Sequence, residues 1–370
     1  MIRTALTAVA LLLIALPGVA AGATFQVSRT DDPQGGACVP GACSLRGAVL
    51  AANANGPSAD TVRLGAGTYR LTRGQLSATG GLTLRGAGAR RTTIDPSRTP
   101  GESRALGINS VVPVTVTVAS LKITGGDLQG LDGGGIYLAG NSTLNLIKVA
   151  IYGNHAFNGA GVRADGTLNV SGSTFFGNQA LGVDKGNGPA LAFLGAGRGQ
   201  IVNSTFVGNH GPNRGGAIDF SPSVAGTLSL INDTVADNHA DKRGGGIAAG
   251  GRGTVRLRNT IIARNTVNRR GRGANCFGRV LSSGHNLEGS AQRNRLQRTG
   301  GRTCRLHARG DRRGKEPWLG RTRNNGGPTD TRELLRRSPA RNHARGCPRT
   351  DQRGHRRGRR CDIGAFEFPR

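Results

Sequence analysis

The middle of the chain repeats one imperfect unit five times, and this repetition constrains the fold more than any other feature. Each unit contains a glycine-rich start, three short apolar runs and a marker asparagine, as in GGAIDFSPSVAGTLSLINDTVADN from Gly215 to Asn238. Successive markers are 24, 31, 29 and 27 residues apart. The marker asparagines are Asn154, Asn178, Asn209, Asn238 and Asn265. Such a period is typical of a stack of similar supersecondary units.

The apolar runs within each unit have the features of short β-strands. They alternate or are rich in β-branched residues, and Gly, Asn or Ser bounds each of them. Three such strands cannot bury a core alone, but each can pair with its counterpart in the next unit, about 4.8 Å away. We therefore predict an all-β fold, a right-handed single-stranded parallel β-helix over residues 60–286. The composition agrees, since 62 glycines supply turns and 4% aromatic residues suit a narrow aliphatic core.

The marker asparagines are expected to have a structural role. Asparagine tolerates left-handed backbone angles, and asparagines stacked in successive turns can form a hydrogen-bonded ladder. Histidine follows three of the markers, at His155, His210 and His239. His210 and His239 are expected to face each other across one rung of the ladder. Stacked surface imidazoles are the preferred interpretation, with a metal site or an acid–base pair as the alternative.

The first residues have the pattern of a secretory signal. Arg3 supplies the positive start, Ala5 to Leu16 form a short apolar run, and Ala21-Gly22-Ala23 provides an A-x-A cleavage site. The apolar run is shorter than the roughly 20 residues that a bilayer-spanning helix needs. We therefore expect residues 1–23 to be removed. The mature chain would have no transmembrane segment and would be secreted or located at the cell surface.

Six cysteines in an exported chain predict disulfide bonds. Cys38 and Cys43 flank the turn signal Pro40-Gly41. Sequential pairing is the simplest of the possible connectivities, and it gives the pairs Cys38–Cys43, Cys276–Cys304 and Cys347–Cys361. Because no Cys-x-x-Cys spacing is present, the sequence assigns neither a metal nor a cofactor.

Positive charge is concentrated in the last third of the chain. From Arg252 onward there are 31 Lys+Arg and 8 Asp+Glu, and 19 and 13 precede it, so +23 of the net +29 lies in this part. This charge predicts attraction to a polyanion, such as an acidic polysaccharide at the cell surface. A solvated basic surface without a ligand is the simpler alternative. The few aromatic residues argue against base stacking, so no specific nucleic-acid recognition is expected.

The segment before the repeats, residues 24–59, is predicted to cap the β-helix with a short helix. Its apolar residues fall at helical spacing, and Ser44 is a suitable N-cap. The apolar positions are Leu45, Ala48, Val49 and Ala52. The stretch CSLRGAVLAANANGPSADTVRLGAGTYRLT resembles the CSLREA-type N-terminal segment of bacterial right-handed β-helix proteins. Gly47 replaces the usual glutamate of that pattern, which removes a capping box.

The Arg-rich C-terminal segment, residues 287–370, resembles the choice-of-anchor Q segment of the same group of exported bacterial proteins. The group includes polymorphic outer membrane proteins. The matching stretches are Asn325–Thr329, Ser338–Ala340, Asp351–Gly354 and Cys361–Glu367. The resemblance implies an outer-membrane or extracellular location. Arginines replace turn and core residues of the pattern at 336–337, 341 and 356–357. This indicates either a polyanion-binding tail or a mutational bias toward arginine.

The sequence contains no motif that identifies a catalytic residue. Parallel β-helix enzymes that cleave polysaccharides need paired carboxylates or a cation site beside a base. Asp165 and Asp219 are expected to follow equivalent strands two turns apart, at ~9.6 Å, and with His210 and His239 they form a candidate ligand face. We predict a monomeric, non-enzymatic adhesin or glycan-binding scaffold. The alternative is a polysaccharide lyase or glycoside hydrolase acting on an acidic polysaccharide.

Overall fold

The chain forms a parallel β-solenoid of about eight coils, which confirms the predicted fold class. The computed structural model describes residues 22–35, 38–55 and 59–289, together with Cys304, His307, Ala308 and three short strands beyond residue 311. Nearly every described element is a strand, and four parallel sheets, named A to D here, run along the coil axis. Successive coils contribute one strand each to sheets C, A and B in that order, and five of them add a strand to sheet D.

Sheets A and B are the deepest stacks, with ten strands each. Sheet A consists of Thr24–Gln26, Asp60–Arg63, Leu82–Arg85, Thr115–Ala119, Thr143–Ile147, Thr167–Ser171, Arg198–Val202, Gly226–Ile231, Gly253–Arg258 and Val280–Ser282. Sheet B consists of Gly67–Arg70, Thr92–Asp95, Lys122–Thr124, Ala150–Tyr152, Thr174–Phe176, Thr205–Val207, Thr234–Ala236, Ile261–Ala263, Leu287–Glu288 and Arg312–Arg313. Sheet A therefore begins with a strand that precedes the helix in the chain.

Sheets C and D close the coil. Sheet C consists of Leu76–Ala78, Leu106–Ile108, Ile136–Leu138, Val162–Ala164, Leu191–Phe193, Ile218–Phe220, Ile247–Ala249 and Cys276–Gly278. Sheet D consists of His155–Ala156, Gln179–Ala180, His210–Gly211, His239–Ala240 and Thr266–Val267. A separate antiparallel pair joins Thr322–Asn324 to Arg332–Leu334.

In-register pairing stacks like residues on like residues in the core. Leu144 pairs with Leu168, and Phe175 stacks on Phe206 with ring centroids 4.8 Å apart. All four side chains are fully buried. A strand of only three residues therefore becomes stable because its apolar side chains contact the same positions in the coils on both sides.

The marker asparagines form a continuous buried ladder. The Asn154 Nδ2 donates to the Asn178 Oδ1 at 3.0 Å, and the same contact continues through Asn209, Asn238 and Asn265. Each Oδ1 from Asn178 to Asn265 also accepts the backbone N–H of the preceding marker. The ladder thus satisfies buried amide groups in both directions along the axis.

The left-handed backbone position is not the marker itself, so that part of the sequence-based expectation is wrong. The positive φ angle belongs to the residue before each marker, such as Gly208 (φ 62°) and Asp237 (φ 56°). A second left-handed position joins sheets A and B, and Asn203 and Asn232 occupy it in two coils. The marker keeps an ordinary backbone because its amide must point into the ladder.

The helix Leu45–Ala54 packs against the first coil with its apolar side buried. The Ser44 Oγ accepts the Gly47 N–H at 3.1 Å, as expected of an N-cap. The Asp32 carboxylate pairs with the Arg46 guanidinium at 2.7 Å and also accepts the backbone N–H of Thr72 at 2.8 Å. This one carboxylate therefore joins the N-terminal segment, the helix and the first coil.

Disulfides join Cys38 to Cys43 and Cys276 to Cys304. The second of these ties the last strand of sheet C to a buried residue of the C-terminal region. The predicted Cys347–Cys361 pair, the tail motifs and nearly all of the predicted signal lie outside the described residues. No helix in the described ranges has the length and apolarity that a membrane crossing requires.

Candidate functional site

The outer surface of sheet C carries most of the unusual polar chemistry. The first and third residues of its three-residue strands join the core, so the middle residue points outward. The outward residues of five successive coils are Tyr137, Arg163, Ala192, Asp219 and Ala248.

One edge of sheet C is formed by the residue that precedes a left-handed glycine in each coil. Backbone hydrogen bonds of 2.9 to 3.0 Å link these glycines to the next coil and place the preceding residues in one line, the edge column. The edge column consists of Asp132, Asn158, Asn187, Arg214, Arg243 and Arg272. Its first half carries an acid and two amides, and its second half is the arginine column of Arg214, Arg243 and Arg272.

The three arginines of the arginine column have different surroundings. The Arg214 Nη2 lies 3.3 Å from the Asp219 Oδ2, and its buried Nε has no hydrogen-bond partner. The Arg243 guanidinium lies 5.2 Å from the centroid of the Phe277 ring, and both Arg243 and Arg272 are exposed. Within the described residues, no carboxylate forms an ion pair with Arg243 or Arg272. The column is therefore a row of cations with one carboxylate partner.

Asp219 is an unusual carboxyl group, because it faces outward from sheet C and is nevertheless fully buried. The Ser221 hydroxyl donates to its Oδ1 at 2.7 Å, and Arg214 approaches its Oδ2. Burial raises the pKa of Asp219 to about 6, although Arg214, Ser221 and Arg163 act in the opposite direction. The group can therefore change its charge near neutral pH, but it is not accessible to a large ligand.

The opposite end of the face is a compensated ion-pair network. The Arg163 guanidinium pairs with both Asp132 and Asp165, and the contact to Asp165 is 2.7 Å. The Tyr137 hydroxyl donates to the Asp165 Oδ2 at 3.2 Å, and the Gly195 N–H donates to its Oδ1 at 2.9 Å. Burial, followed by the nearby Asp165 carboxylate, raises the pKa of Tyr137.

A cleft of about 540 Å³ opens beside this network. The Arg104 guanidinium lies 5.3 Å from the centroid of the Tyr137 ring and donates to the backbone oxygens of Gly133 and Asp132 at 2.9 and 2.6 Å. Burial lowers the pKa of Arg104. The side chains lining the cleft are Arg104, Asn109, Leu131, Asp132, Tyr137, Phe157 and Asn158. Every cation in this network has a partner within the network, in contrast to the arginine column.

The structure does not place Asp165 and Asp219 at equivalent positions, so the predicted register of these two carboxylates is wrong. Asp219 is the middle residue of its strand and is in register with Ala192 and Arg163. Asp165 follows the strand that ends at Ala164. The two carboxylates are held by different hydrogen-bond donors, and Arg163 lies close to both.

The two predicted histidines lie on sheet D, away from Asp165 and Asp219 on sheet C. The rings of His210 and His239 stack with centroids 5.1 Å apart. Sequence reasoning missed Asp241, whose Oδ1 lies 3.1 Å from the His239 Nε2 and 3.7 Å from the His210 Nε2. The spacing His239-Ala240-Asp241 is the signal that could have identified it, since alternate residues of a strand share a face.

Sequence reasoning also missed a second buried ladder at the turn from sheet A to sheet B. Backbone N–H groups donate to side-chain oxygens of the next coil, at 2.7 Å from Ser204 to Asp233 and at 2.9 Å from Thr260 to Asn286. Its members are Ser173, Ser204, Asp233, Thr260 and Asn286. The signal was present in the sequence, because four of the five residues lie five positions before a marker asparagine.

Comparisons of the chain with protein-family models, with curated proteins and with solved structures give no match. The class that the fold defines is a parallel β-solenoid. Its function must therefore be inferred from the chemistry of the surfaces described above.

Proposed function

We propose that the protein is an exported or cell-surface β-solenoid that binds an acidic polysaccharide along the arginine column without cleaving it. The signal-like residues 1–23 and the two disulfides support export to an oxidising compartment. The resemblance of both chain ends to CSLREA-type and choice-of-anchor Q segments supports a bacterial surface location and an adhesin or scaffold role.

The single observation that carries this proposal is the stacking of Arg214, Arg243 and Arg272 at one position of three successive coils. Parallel pairing separates such residues by about 4.8 Å along the axis. A polyanion lying along the axis would meet one guanidinium per coil, and each guanidinium can bind a carboxylate or sulfate group with two hydrogen bonds. The paired backbone fixes the spacing at which the three side chains leave the coils, so a ligand with a matching repeat meets cations at regular intervals.

The buried state of Asp219 supports binding rather than cleavage. A general acid must reach the glycosidic oxygen to protonate it. Although its pKa of about 6 would suit that role, the carboxyl group is fully buried and is held by Ser221 and Arg214. The experiment below also detects the alternative, cleavage of the polysaccharide by a lyase or glycosidase activity.

The experiment measures binding of the purified mature chain to immobilised polygalacturonate and alginate, with dextran as the neutral polymer. The test variant is Arg243→Gln/Arg272→Gln. The control variant, Arg198→Gln/Arg256→Gln, removes the same charge from the outer face of sheet A. We expect the test variant to weaken binding about tenfold and to flatten its salt dependence, because two charge-assisted contacts are lost. The control should retain most of the affinity.

Equal losses in the two variants would reject the arginine column as the site, since they would show attraction by net charge alone. Retention on single-stranded DNA as strong as on the acidic polysaccharides would reject the choice of ligand. Release of reducing or unsaturated sugar ends from soluble polygalacturonate would establish the lyase or glycosidase alternative instead.

A further inference from the structure

We propose that His210, His239 and Asp241 form a binding site for a divalent transition-metal ion such as Zn²⁺. This inference is independent of polysaccharide binding, because the three residues lie at sheet D and not in the arginine column.

The distances between the donor atoms fit a small metal ion. Zinc bonds to histidine nitrogen and carboxylate oxygen are about 2.0–2.2 Å long, so neighbouring donors of a tetrahedral site lie about 3.3 Å apart. The Asp241 Oδ1 lies 3.1 Å from the His239 Nε2 and 3.7 Å from the His210 Nε2, which bracket that value. All three donor atoms lie within 4.8 Å of one another. Only a small side-chain movement would bring them to one ion.

The His239 ring has a hydrogen-bond partner on the nitrogen that is not aimed at Asp241. The His239 Nδ1 lies 2.7 Å from the Thr266 Oγ1. In the metal-free protein the Nε2–H can donate to the Asp241 Oδ1 at 3.1 Å. A bound ion would replace this proton, and Nδ1–H would then donate to the Thr266 hydroxyl. Metal-bound histidines are commonly held in this way by a partner on their second nitrogen. Thr266 belongs to the next coil, so three successive coils contribute to the arrangement.

The backbone that carries the site is fixed by the solenoid. His210 and His239 are in register on adjacent strands of sheet D, and the Asp241 N–H donates to the Gly211 oxygen at 3.0 Å. The next residue in the chain, Lys242, forms an ion pair with Asp184 at 3.2 Å. The Asp241 carboxylate therefore has only the two histidines as ion-pair partners in the described structure.

The exposure of the donors allows an ion to enter. The side chains of His210, His239 and Asp241 are 46%, 31% and 32% exposed. Two imidazoles and one carboxylate suit Zn²⁺, Co²⁺, Ni²⁺ or Cu²⁺, and they do not suit Ca²⁺ or Mg²⁺, which prefer oxygen ligands. A three-ligand site leaves a position for water or for an anionic group of a partner. A bound ion would also link two coils and stabilise the fold by mass action.

The test is calorimetric titration of the oxidised, metal-free chain with Zn²⁺, and titration with Co²⁺ followed by visible absorption. We expect binding at this site and a Co²⁺ spectrum typical of nitrogen and oxygen ligands. His239→Ala should weaken the affinity at least tenfold, and Asp241→Asn should weaken it less. The control, His155→Ala, changes the sheet D residue two coils earlier and should retain the affinity.

His210→Ala provides a second test, because its side chain is nearly half exposed and its removal should not prevent folding. Unchanged Zn²⁺ affinity in both folded histidine variants would overturn the proposal. Absence of Zn²⁺ binding by the folded wild-type chain at neutral pH would also overturn it.

Discussion

The asparagine ladder and the arginine column are both made by repeating one residue type at one position of successive coils, yet their energetic consequences are opposite. The Asn209 amide donates to Asn238 at 2.9 Å and accepts from Asn178 at 3.0 Å, so stacking satisfies its donor and its acceptor. A guanidinium has donors but no acceptor, and its charge repels the same group one coil away. In-register stacking of a polar residue therefore stabilises the fold only when its side chain can hydrogen-bond to the same side chain in the next coil.

This contrast separates residues kept for folding from residues kept for another reason. Removing an asparagine from the ladder leaves buried polar atoms without partners, which lowers the free energy of unfolding. Exchanging Arg243 or Arg272 for a neutral residue removes charge repulsion without breaking an ion pair of the described structure. The following predictions test this distinction, in order of decreasing effect.

Replacing Asn209 by alanine is expected to have the largest effect. The substitution removes the acceptor for the Asn178 N–H and Nδ2 and the two donors reaching Asn238 and Phe175, all of them buried. We expect the free energy of unfolding to fall by about 3 to 5 kcal/mol, measured by denaturant titration. The matched control is Asn169→Ala, which removes an exposed amide–amide contact of 3.0 Å on sheet A. It should cost less than about 1 kcal/mol, and equal costs would contradict the contrast.

Asp219→Asn is expected to remove a pH dependence of stability. The folded-state pKa of about 6 lies above the ordinary value of 3.8, so the folded protein holds the proton more tightly than the unfolded chain. This tighter proton binding stabilises the fold by about 3 kcal/mol. The stabilisation is present in full below about pH 4 and is lost as the pH rises through about 6. Denaturant titration from pH 4 to 7 measures the free energy of unfolding of wild type and variant. The difference between these two free energies should change by this amount over the pH range. Parallel curves would show that Asp219 does not titrate as stated.

Arg163→Gln tests an arginine whose charge is balanced by carboxylates, in the ion-pair network at the other end of sheet C. Its guanidinium pairs with both Asp132 and Asp165, and it is only 12% exposed. The substitution leaves two partly buried carboxylates without their cation, so we expect a loss of about 2 kcal/mol in the free energy of unfolding. Thermal denaturation at fixed pH provides the measurement. A neutral outcome would place Arg163 in the same class as the arginine column.

Arg243→Gln is expected to have the smallest effect and the opposite sign. Because Arg243 has no carboxylate partner among the described residues, its removal should raise stability by up to about 0.5 kcal/mol at low salt. Added NaCl should stabilise the wild type more than the variant, because salt screens the repulsion. A clear loss of stability would mean that the contact with Phe277 outweighs the repulsion, and that the column helps to hold the fold.

The contrast also explains which features could be predicted from the sequence. The ladder residues recur within a constant motif that begins at the turn into sheet B, so their equivalence is visible by alignment. The loop from each marker to the left-handed glycine that follows the edge column varies in length, from Asn154 to Gly159 in one coil and from Asn178 to Gly188 in the next.

Counting from the glycine that begins each unit avoids this loop and recovers the register of sheet C. Asp165 lies six residues after Gly159, whereas Asp219 lies four after Gly215, so the two carboxylates are not equivalent. The arginines of the column directly precede such glycines and could have been aligned in the same way.

By itself, the repeated unit determined that the chain stacks short parallel strands, because units this small have no other way to bury their apolar residues. It also determined the order of the apolar positions and the asparagines between them. Only the tertiary structure decided how close exterior residues of neighbouring coils lie, because loop lengths and coil pairing set these distances. Arg214 with Arg243, and Asp241 with His210, come together through contacts between coils, and the sequence alone does not give the distances between them.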